Sequence, residues 1–230
     1  MKKNFVAICA VIASMFTANA QEQAGTNATA TDGKAEIPEA VELLQAAGQL
    51  VKYGYASESA LPLIQAIEIY QTYASPSSDN TKTTTTNEQT GTPGEKNGNM
   101  SYDVSKLIAD ATTFADGDEH YLALIDNVKT SATRGATRNY AAHHDRVNAY
   151  STDTYTIRFR GNERACVIVS GDGDTDLDLY IYDANGNLVA SDTDYSDDCV
   201  CIWTPAWTGS FKIKIVNRGS VYNAYVMAVN

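Results

Sequence analysis

The sequence has few cysteines, few basic residues and none of the common catalytic motifs. Its 230 residues include four cysteines, and 17 lysines and arginines face 28 aspartates and glutamates, giving a net charge of −11. So acidic a chain lacks the basic surface that nucleic acid or an anionic membrane requires, which argues against both as partners. It contains no H-E-x-x-H, G-x-S-x-G or S-x-x-K motif and no glycine-rich phosphate loop. We therefore predict that the protein is not an enzyme.

Residues 1–20 have the pattern of a secretory signal peptide. Lys2 and Lys3 precede an apolar run over residues 5–16, and residues 18–20 form an A-x-A cleavage site. The run is shorter than the ~20 residues that span a bilayer. No later segment is apolar enough to span one. We therefore expect a secreted or periplasmic protein without a membrane span.

Three cysteines follow the predicted signal peptide, so at most one internal disulfide can form. Cys199 and Cys201 are two residues apart on a predicted strand and share a face, which makes them poor partners for each other. Cys166 with one of them is a plausible pair in an oxidising compartment. Three small buried residues without a bridge are the alternative. A zinc site is disfavoured because C-x-C lacks the spacing of zinc knuckles.

The first half of the chain predicts helices interrupted by low-complexity sequence. Residues 21–36 are small and polar and predict a disordered leader. Residues 37–130 carry apolar stripes at helical spacing and predict two αα-hairpins that form a small helical bundle. Within them, residues 75–100 are rich in Thr, Ser, Gly and Pro and predict a mobile insertion. Residues 131–150 predict a connector, either a solvated loop or a basic segment docked on an acidic neighbour.

Residues 151–230 alternate between apolar and polar positions in short runs. The pattern predicts seven strands of an antiparallel β-sandwich, at residues 154–159, 164–170, 176–183, 187–190, 199–204, 210–216 and 223–229. In the third run Leu177, Leu179 and Ile181 share one face, because side chains alternate with period two. The expected fold is α+β in two domains, with the helical bundle first and the sandwich second.

This C-terminal part resembles a known family. Asp176-Leu-Asp178-Leu-Tyr180-Ile-Tyr182-Asp183, the Asn185-Gly186 turn, Trp207-Thr-Gly209-Ser-Phe211 and the closing segment 225–230 resemble the bacterial pre-peptidase C-terminal domain. The resemblance covers residues 150–230 and implies a jelly-roll-like β-sandwich. It also implies an accessory, non-catalytic module, and some relatives in bacterial collagenases bind calcium and fibrous substrate.

The residues around the third predicted strand are unusually acidic. Nine aspartates and no lysine or arginine lie between Gly171 and Cys199. Calcium takes six to eight oxygen ligands, so converging aspartates would suit it. The spacing fails the EF-hand loop, since Leu177 occupies the position that requires glycine. Calcium is the candidate cofactor, with ligands from two arms: Asp172, Asp174, Asp176, Asp192 and Asp194. The alternative is that these aspartates are exposed and need no metal, because their mutual repulsion is weak in water.

Tyrosines form the second candidate site. Tyr180 and Tyr182 alternate with the apolar residues of their strand and should lie on the outer sheet face. Tyr222 and Tyr225 lie near the last strand. An exposed group of tyrosines is a suitable surface for an extracellular or envelope protein or polysaccharide.

Two other functions remain open from the sequence. His143, His144 and Asp145 could contribute to the metal centre of an unrecognised hydrolase. A purely structural envelope protein is the other alternative.

Overall fold

The structure is a computed structural model that describes residues 25–29, 37–76, 82–88, 91–96, 100–131 and 140–230. The helices are α1 (Glu39–Ala56), α2 (Ala60–Tyr73), α3 (Val104–Phe114) and α4 (Glu119–Ser131). The strands are β1 (Ala74–Pro76), β2 (Lys82–Thr86), β3 (Tyr140–Val147), β4 (Ser151–Phe159), β5 (Ala165–Gly171), β6 (Leu177–Tyr182), β7 (Leu188–Asp192), β8 (Asp198–Trp203), β9 (Gly209–Asn217) and β10 (Asn223–Val229). The predicted α+β fold, with helices first and a β-sandwich after them, is confirmed. The predicted signal peptide lies outside the described residues.

The strands form two five-stranded sheets. The order is β1-β3-β10-β5-β8 in the first, which we call the helix-covered sheet, and β2-β4-β9-β6-β7 in the second, the open sheet. The pairs are antiparallel except for β1 with β3. Strands β3–β10 are divided four and four between the two sheets, in the order of an eight-stranded jelly roll, and consecutive strands lie in opposite sheets except β6 and β7. Strands β1 and β2 each extend one sheet at its edge. The predicted jelly-roll-like sandwich is therefore confirmed by the strand order.

Two apolar cores lie on either side of the helix-covered sheet. The inner core fills the space between the sheets and includes Leu177, Leu179 and Ile181. The outer core lies between the same sheet and the helices, where Leu63 and Ile67 of α2 join Ile168 and Val226 of the sheet in one cluster. The helices and the sandwich thus share a core.

One glycine sets how closely α1 approaches the helix-covered sheet. A Cβ atom added at Gly48 would lie 2.4 Å from Ser170 Oγ on β5. Real Cβ atoms do not come this close, so any other residue at this position would push the helix away.

Three strands lie where the sequence predicted irregular chain. Strands β1 and β2 fall within the predicted insertion 75–100, and β3 falls within the predicted connector 131–150. The structure corrects both expectations at these residues. β2 is an exposed edge strand of threonines without apolar alternation, and polar residues separate the buried positions of β3. Neither pattern carries the signal of a half-buried strand.

Residues 25–29 lie within the predicted disordered leader, yet they pack on the sandwich. The Asn27 backbone N–H donates to Asp183 Oδ2 at 2.9 Å. The Asn27 side chain donates to the Trp207 carbonyl at 3.0 Å and accepts from the Trp207 N–H at 2.9 Å. The expectation of a leader without contacts is therefore corrected for these residues.

The three described cysteines are free and buried. Cys166 belongs to the outer core, whereas Cys199 and Cys201 belong to the inner core. The Cys166 side chain therefore points to one face of the helix-covered sheet, and the side chains of Cys199 and Cys201 point to the other. The predicted pairing of Cys166 with either of the others does not form, and the alternative of unbridged buried residues holds.

Candidate functional site

The outer face of the open sheet is a polar surface that no other layer covers among the described residues. We call it the open face. Strand pairing aligns Thr83, Thr154, Lys214, Tyr180 and Ser191 in one row across the five strands. Hydroxyl groups, an ammonium and a phenol ring thus lie side by side on a sheet surface, which suits binding to an extended ligand.

Two tyrosine rings stand on β6, between the central strand β9 and the edge strand β7 of the open face. Tyr180 and Tyr182 are half-buried, and their rings are stacked with centroids 6.4 Å apart and planes inclined by 26°. Lys214 Nζ lies 5.1 Å from the centroid of the Tyr182 ring. The predicted outward position of both tyrosines is confirmed by this geometry.

An arginine ion pair borders the tyrosines. Arg218 Nε lies 2.7 Å from Asp178 Oδ2, and its Nη2 lies 3.4 Å from the Tyr180 hydroxyl. The hydrogen bond to Asp178, followed by that to Tyr180, raises the pKa of Arg218. This pair fixes the guanidinium and the phenol at one end of the open face.

The other two predicted surface tyrosines lie elsewhere. Tyr225 is only 1% exposed and lies between the sheets. Its hydroxyl is 2.6 Å from the Tyr155 hydroxyl and donates to Asp153 Oδ2 at 2.8 Å. Its assignment to a ligand surface is therefore wrong, because β10 is buried on both faces. The Tyr222 ring lies under Lys96 Nζ, 4.4 Å from its centroid, away from the open face.

The predicted calcium ligands Asp172 and Asp174 converge on a lysine. Lys96 Nζ forms ion pairs with Asp172 Oδ2 and, at 2.7 Å, with Asp174 Oδ2. Asp172 Oδ2 also accepts the Ala224 N–H at 2.7 Å. Burial by itself would lower the pKa of Lys96, but the two carboxylates raise it overall. The ammonium therefore supplies the positive charge at this point.

A second lysine neutralises the neighbouring acidic loop. Lys52 Nζ, on α1, lies 2.7 Å from both Asp197 Oδ1 and Asp198 Oδ2. Burial by itself would lower the pKa of Lys52, but the two carboxylates raise it above the ordinary value. Because Lys52 belongs to the helical layer, these contacts also join that layer to the sandwich.

The remaining predicted ligands are not gathered into one shell. Asp192 Oδ2 accepts the Val200 N–H at 2.8 Å, and Asp194 is exposed. Burial, followed by the charges of Asp178, Asp194 and Asp197, raises the pKa of Asp176. Within the described residues, no group of three or more His, Cys, Asp or Glu side chains could hold a metal ion. Calcium binding by the predicted aspartates therefore stays a prediction.

The histidines of the hydrolase alternative occupy opposite sides of β3. His143 pairs in register with Met227 of the inner core, whereas His144 pairs with Val226 of the outer core. Burial, and then the neighbouring His144, lowers the pKa of His143 to about 4. Adjacent side chains that point in opposite directions do not form one metal centre with Asp145.

These features define a class of protein: a jelly-roll β-sandwich with one face under helices and the other bare. No family model and no curated protein matches the chain. A solved structure to which it is similar is the pre-peptidase C-terminal domain of collagenase from Bacillus anthracis. The two are 11% identical with a TM-score of 0.31, over 40% of this chain and 88% of that one.

A second similar structure is a carbohydrate-binding module from Cellvibrio mixtus lichenase 5A in complex with cellotriose. Identity is 10% and the TM-score 0.26, over 39% of this chain and 86% of the module. Both likenesses are consistent with the β-sandwich that the strand order shows, and they concern the fold alone. Among the described helices, none is long and apolar enough to cross a membrane.

Lys52 and Lys96 cannot be recognised from the sequence alone as partners of the acidic loops. Both lie in the first half of the chain, 145 residues before Asp197 and 76 before Asp172. The available signal was the lack of basic residues inside the acidic segment. Such a segment needs positive charge from elsewhere when it is buried.

Proposed function

We propose that this chain is an exported, non-catalytic binding protein whose open face holds a polysaccharide strand across Tyr180 and Tyr182. The observation that carries the proposal is the stacked pair of partly exposed rings on an uncovered sheet face. Phenol rings pack against the apolar face of a sugar at low entropic cost. The predicted signal peptide supports export.

The surroundings of the rings support a sugar more than an apolar protein surface. On β9 the partners of Tyr180 and Tyr182 are Lys214 and Lys212, whose ammonium groups are hydrogen-bond donors. On β7 the partners are Ser191 and Leu188, so one exposed apolar side chain stands beside Tyr182. A protein ligand is the alternative outcome of the binding test.

Affinity electrophoresis against a panel of soluble polysaccharides tests the proposal. We expect Tyr180→Ala and Tyr182→Ala each to weaken binding about tenfold, the typical effect of removing a contact residue worth ~1.4 kcal/mol. Tyr195→Ala is the matched control, because Tyr195 is fully exposed on the loop after β7. The control should bind like the original protein.

The contrary outcomes are distinct. Binding that survives both substitutions would move the site away from the open face. Retention by matrix proteins with none by polysaccharides would make the ligand a protein. The absence of any ligand across both panels would favour the purely structural alternative.

Calcium binding is a prediction from the sequence, and a substitution of Lys96 tests it, because Lys96 pairs with two of the predicted ligands. Bound calcium would have to displace the ammonium from Asp172 and Asp174. We expect Lys96→Gln to lower the melting temperature in EDTA, because it leaves buried Asp172 without its counter-charge. Millimolar calcium should restore part of the loss, since a ligand of the native state stabilises it.

The original protein and Lys106→Gln serve as controls for that measurement. Lys106 forms an exposed pair with Asp110 on α3. Both controls should respond to calcium less than Lys96→Gln does. An equal response in all three proteins would place a calcium site away from Lys96, and no response in any of them would remove calcium from the account.

A further inference from the structure

A cleft of about 640 Å³ opens where the helical layer meets the acidic loop. Its walls come from the end of α1, the end of α3 and residues 172–174 before β6. The volume lies within the ~300–1,000 Å³ of small-molecule sites, which often lie between packed layers. The cleft is remote in the fold from the open face, since it borders the helices rather than the open sheet.

Two aromatic rings form the apolar part of this cleft. Tyr55 and Phe114 meet edge to face, with centroids 6.0 Å apart and planes at 87°. The Tyr55 hydroxyl donates to Asp110 Oδ2 at 2.5 Å, which fixes the ring. Burial, and then that carboxylate, raises the pKa of Tyr55, so the phenol stays neutral. Met100 completes the apolar lining.

The charged part of the cleft has an excess of carboxylates. Lys52 and Lys96 line it, but each already contacts two aspartates. Glu58 also lines the cleft and brings the carboxylates to five, against two ammonium groups. Asp174 keeps 48% of its side chain exposed, so it can still meet a ligand. The surplus of negative charge favours a cation and disfavours an anion.

Open space lies next to the acidic wall. Gly173 has φ of +90°, and a Cβ atom added to it would meet nothing within 4 Å. Aromatic faces and carboxylates that outnumber the neighbouring lysines together attract an organic cation, through the ring quadrupole and through direct charge.

We propose that this cleft binds a guanidinium or ammonium group carried on an apolar stem. The stem packs against Phe114 and Tyr55, and the cationic head lies near Asp174 and Glu58. The site is independent of the polysaccharide surface, so either proposal can fail alone.

Isothermal titration of the full chain with acetyl-arginine-amide tests the proposal, with neutral acetyl-citrulline-amide as the matched probe. We expect the arginine compound to bind at least tenfold more tightly than the citrulline compound. Free butylguanidine distinguishes a small free cation from a side chain presented by a peptide. Tighter binding of butylguanidine would assign the site to the free cation.

Substitutions locate the binding. Glu58→Gln and Asp174→Asn should each weaken the arginine probe severalfold without changing the melting temperature by more than a few degrees. Phe114→Ala should also weaken it, and circular dichroism checks that this variant folds. Asp126→Asn, an exposed substitution on α4, is the control and should change nothing. Equal binding of the two amides, or unchanged binding in both carboxylate variants, would overturn the proposal.

Discussion

The two outer faces of the sandwich differ in what covers them. The outer face of the helix-covered sheet presents apolar side chains to the helices, among them Ala142, Ile168, Val226 and Ala228. The open face presents threonine, lysine and tyrosine. Within the described residues, helices cover one face of the sandwich and no further layer covers the other.

The sequences of the strands already show which sheet is covered on its outer face. Every residue of β5 is buried, since the strand lies between two cores, and it reads as a continuous apolar run from Ala165 to Val169. Strand β9 alternates instead, with Phe211, Ile213 and Ile215 buried and lysines between them. A continuous run therefore marks a covered face, and alternation marks an open one.

The largest effect should come from a charge placed on the covered face. Ile168 is 3% exposed beneath the helices. We expect Ile168→Asp to lower the free energy of unfolding by about 4 kcal/mol or more, because the carboxylate has no counter-charge there. Urea denaturation measures the loss, and Ile168→Ala, with an expected cost of about 2–4 kcal/mol, serves if the first variant does not fold.

The matched substitution on the open face is Thr154→Asp. Its side chain lies beside Lys214 in solvent, so we expect a change within about 1 kcal/mol. Similar losses for Thr154→Asp and Ile168→Ala would show that the two faces are covered alike, which would remove the basis for the proposed binding surface.

A smaller effect should come from the lysine that joins the helices to the sheet. Lys52→Met removes two ion pairs whose carboxylates are largely buried. We expect a loss of about 2 kcal/mol, between the values for exposed and buried pairs. Lys214→Met on the open face is the control and should cost less than about 0.5 kcal/mol. If both cost the same, the helical layer does not depend on its charged attachment.

A further effect should appear as a pH dependence from the inner core. The pKa of His143 is lowered from 6.5 to about 4 by burial and by His144, so the folded state disfavours its protonated form. Its contribution to stability is complete above pH 6.5 and is lost as the pH falls toward 4. Urea denaturation at pH 7, 6 and 5 should show this decline.

His143→Gln removes that titration and should reduce the decline between pH 6.5 and 5. The part that remains is expected from His144, because burial lowers its pKa as well. His120→Gln is the control, because His120 is exposed on α4. A decline of the same slope in both variants would assign the pH dependence to groups outside the inner core.

The sequence was enough to predict the elements that carry strong periodicity. The four helices and strands β4–β10 follow from apolar spacing, and Tyr180 and Tyr182 follow from the alternation of β6. Strands β1–β3 could not be found this way, since threonines in β2 and polar residues in β3 hide the period. Their place is set by pairing with distant strands.

The site residues were harder to predict than the strands, because their surroundings are formed by residues that are distant in the sequence. Asp172 and Asp174 looked like calcium ligands because the residues around them carry no positive charge, and only the fold brings Lys96 to them. From the sequence, Tyr225 joined the surface tyrosines only because it lies near the last strand. It is buried because β10 lies in the middle of the helix-covered sheet, where both of its faces meet a core.

The cysteine positions give each core its own chemical reporter. Burial raises the pKa of the Cys166 thiol to about 12, and burial likewise raises the pKa of Cys199 and Cys201. Maleimide, which needs thiolate and access, should therefore label each site only when its surroundings open. Peptide mapping of a labelling time course would then show which core opens first. Early labelling of Cys166 would mean that the helices separate from the sheet before the two sheets separate from each other.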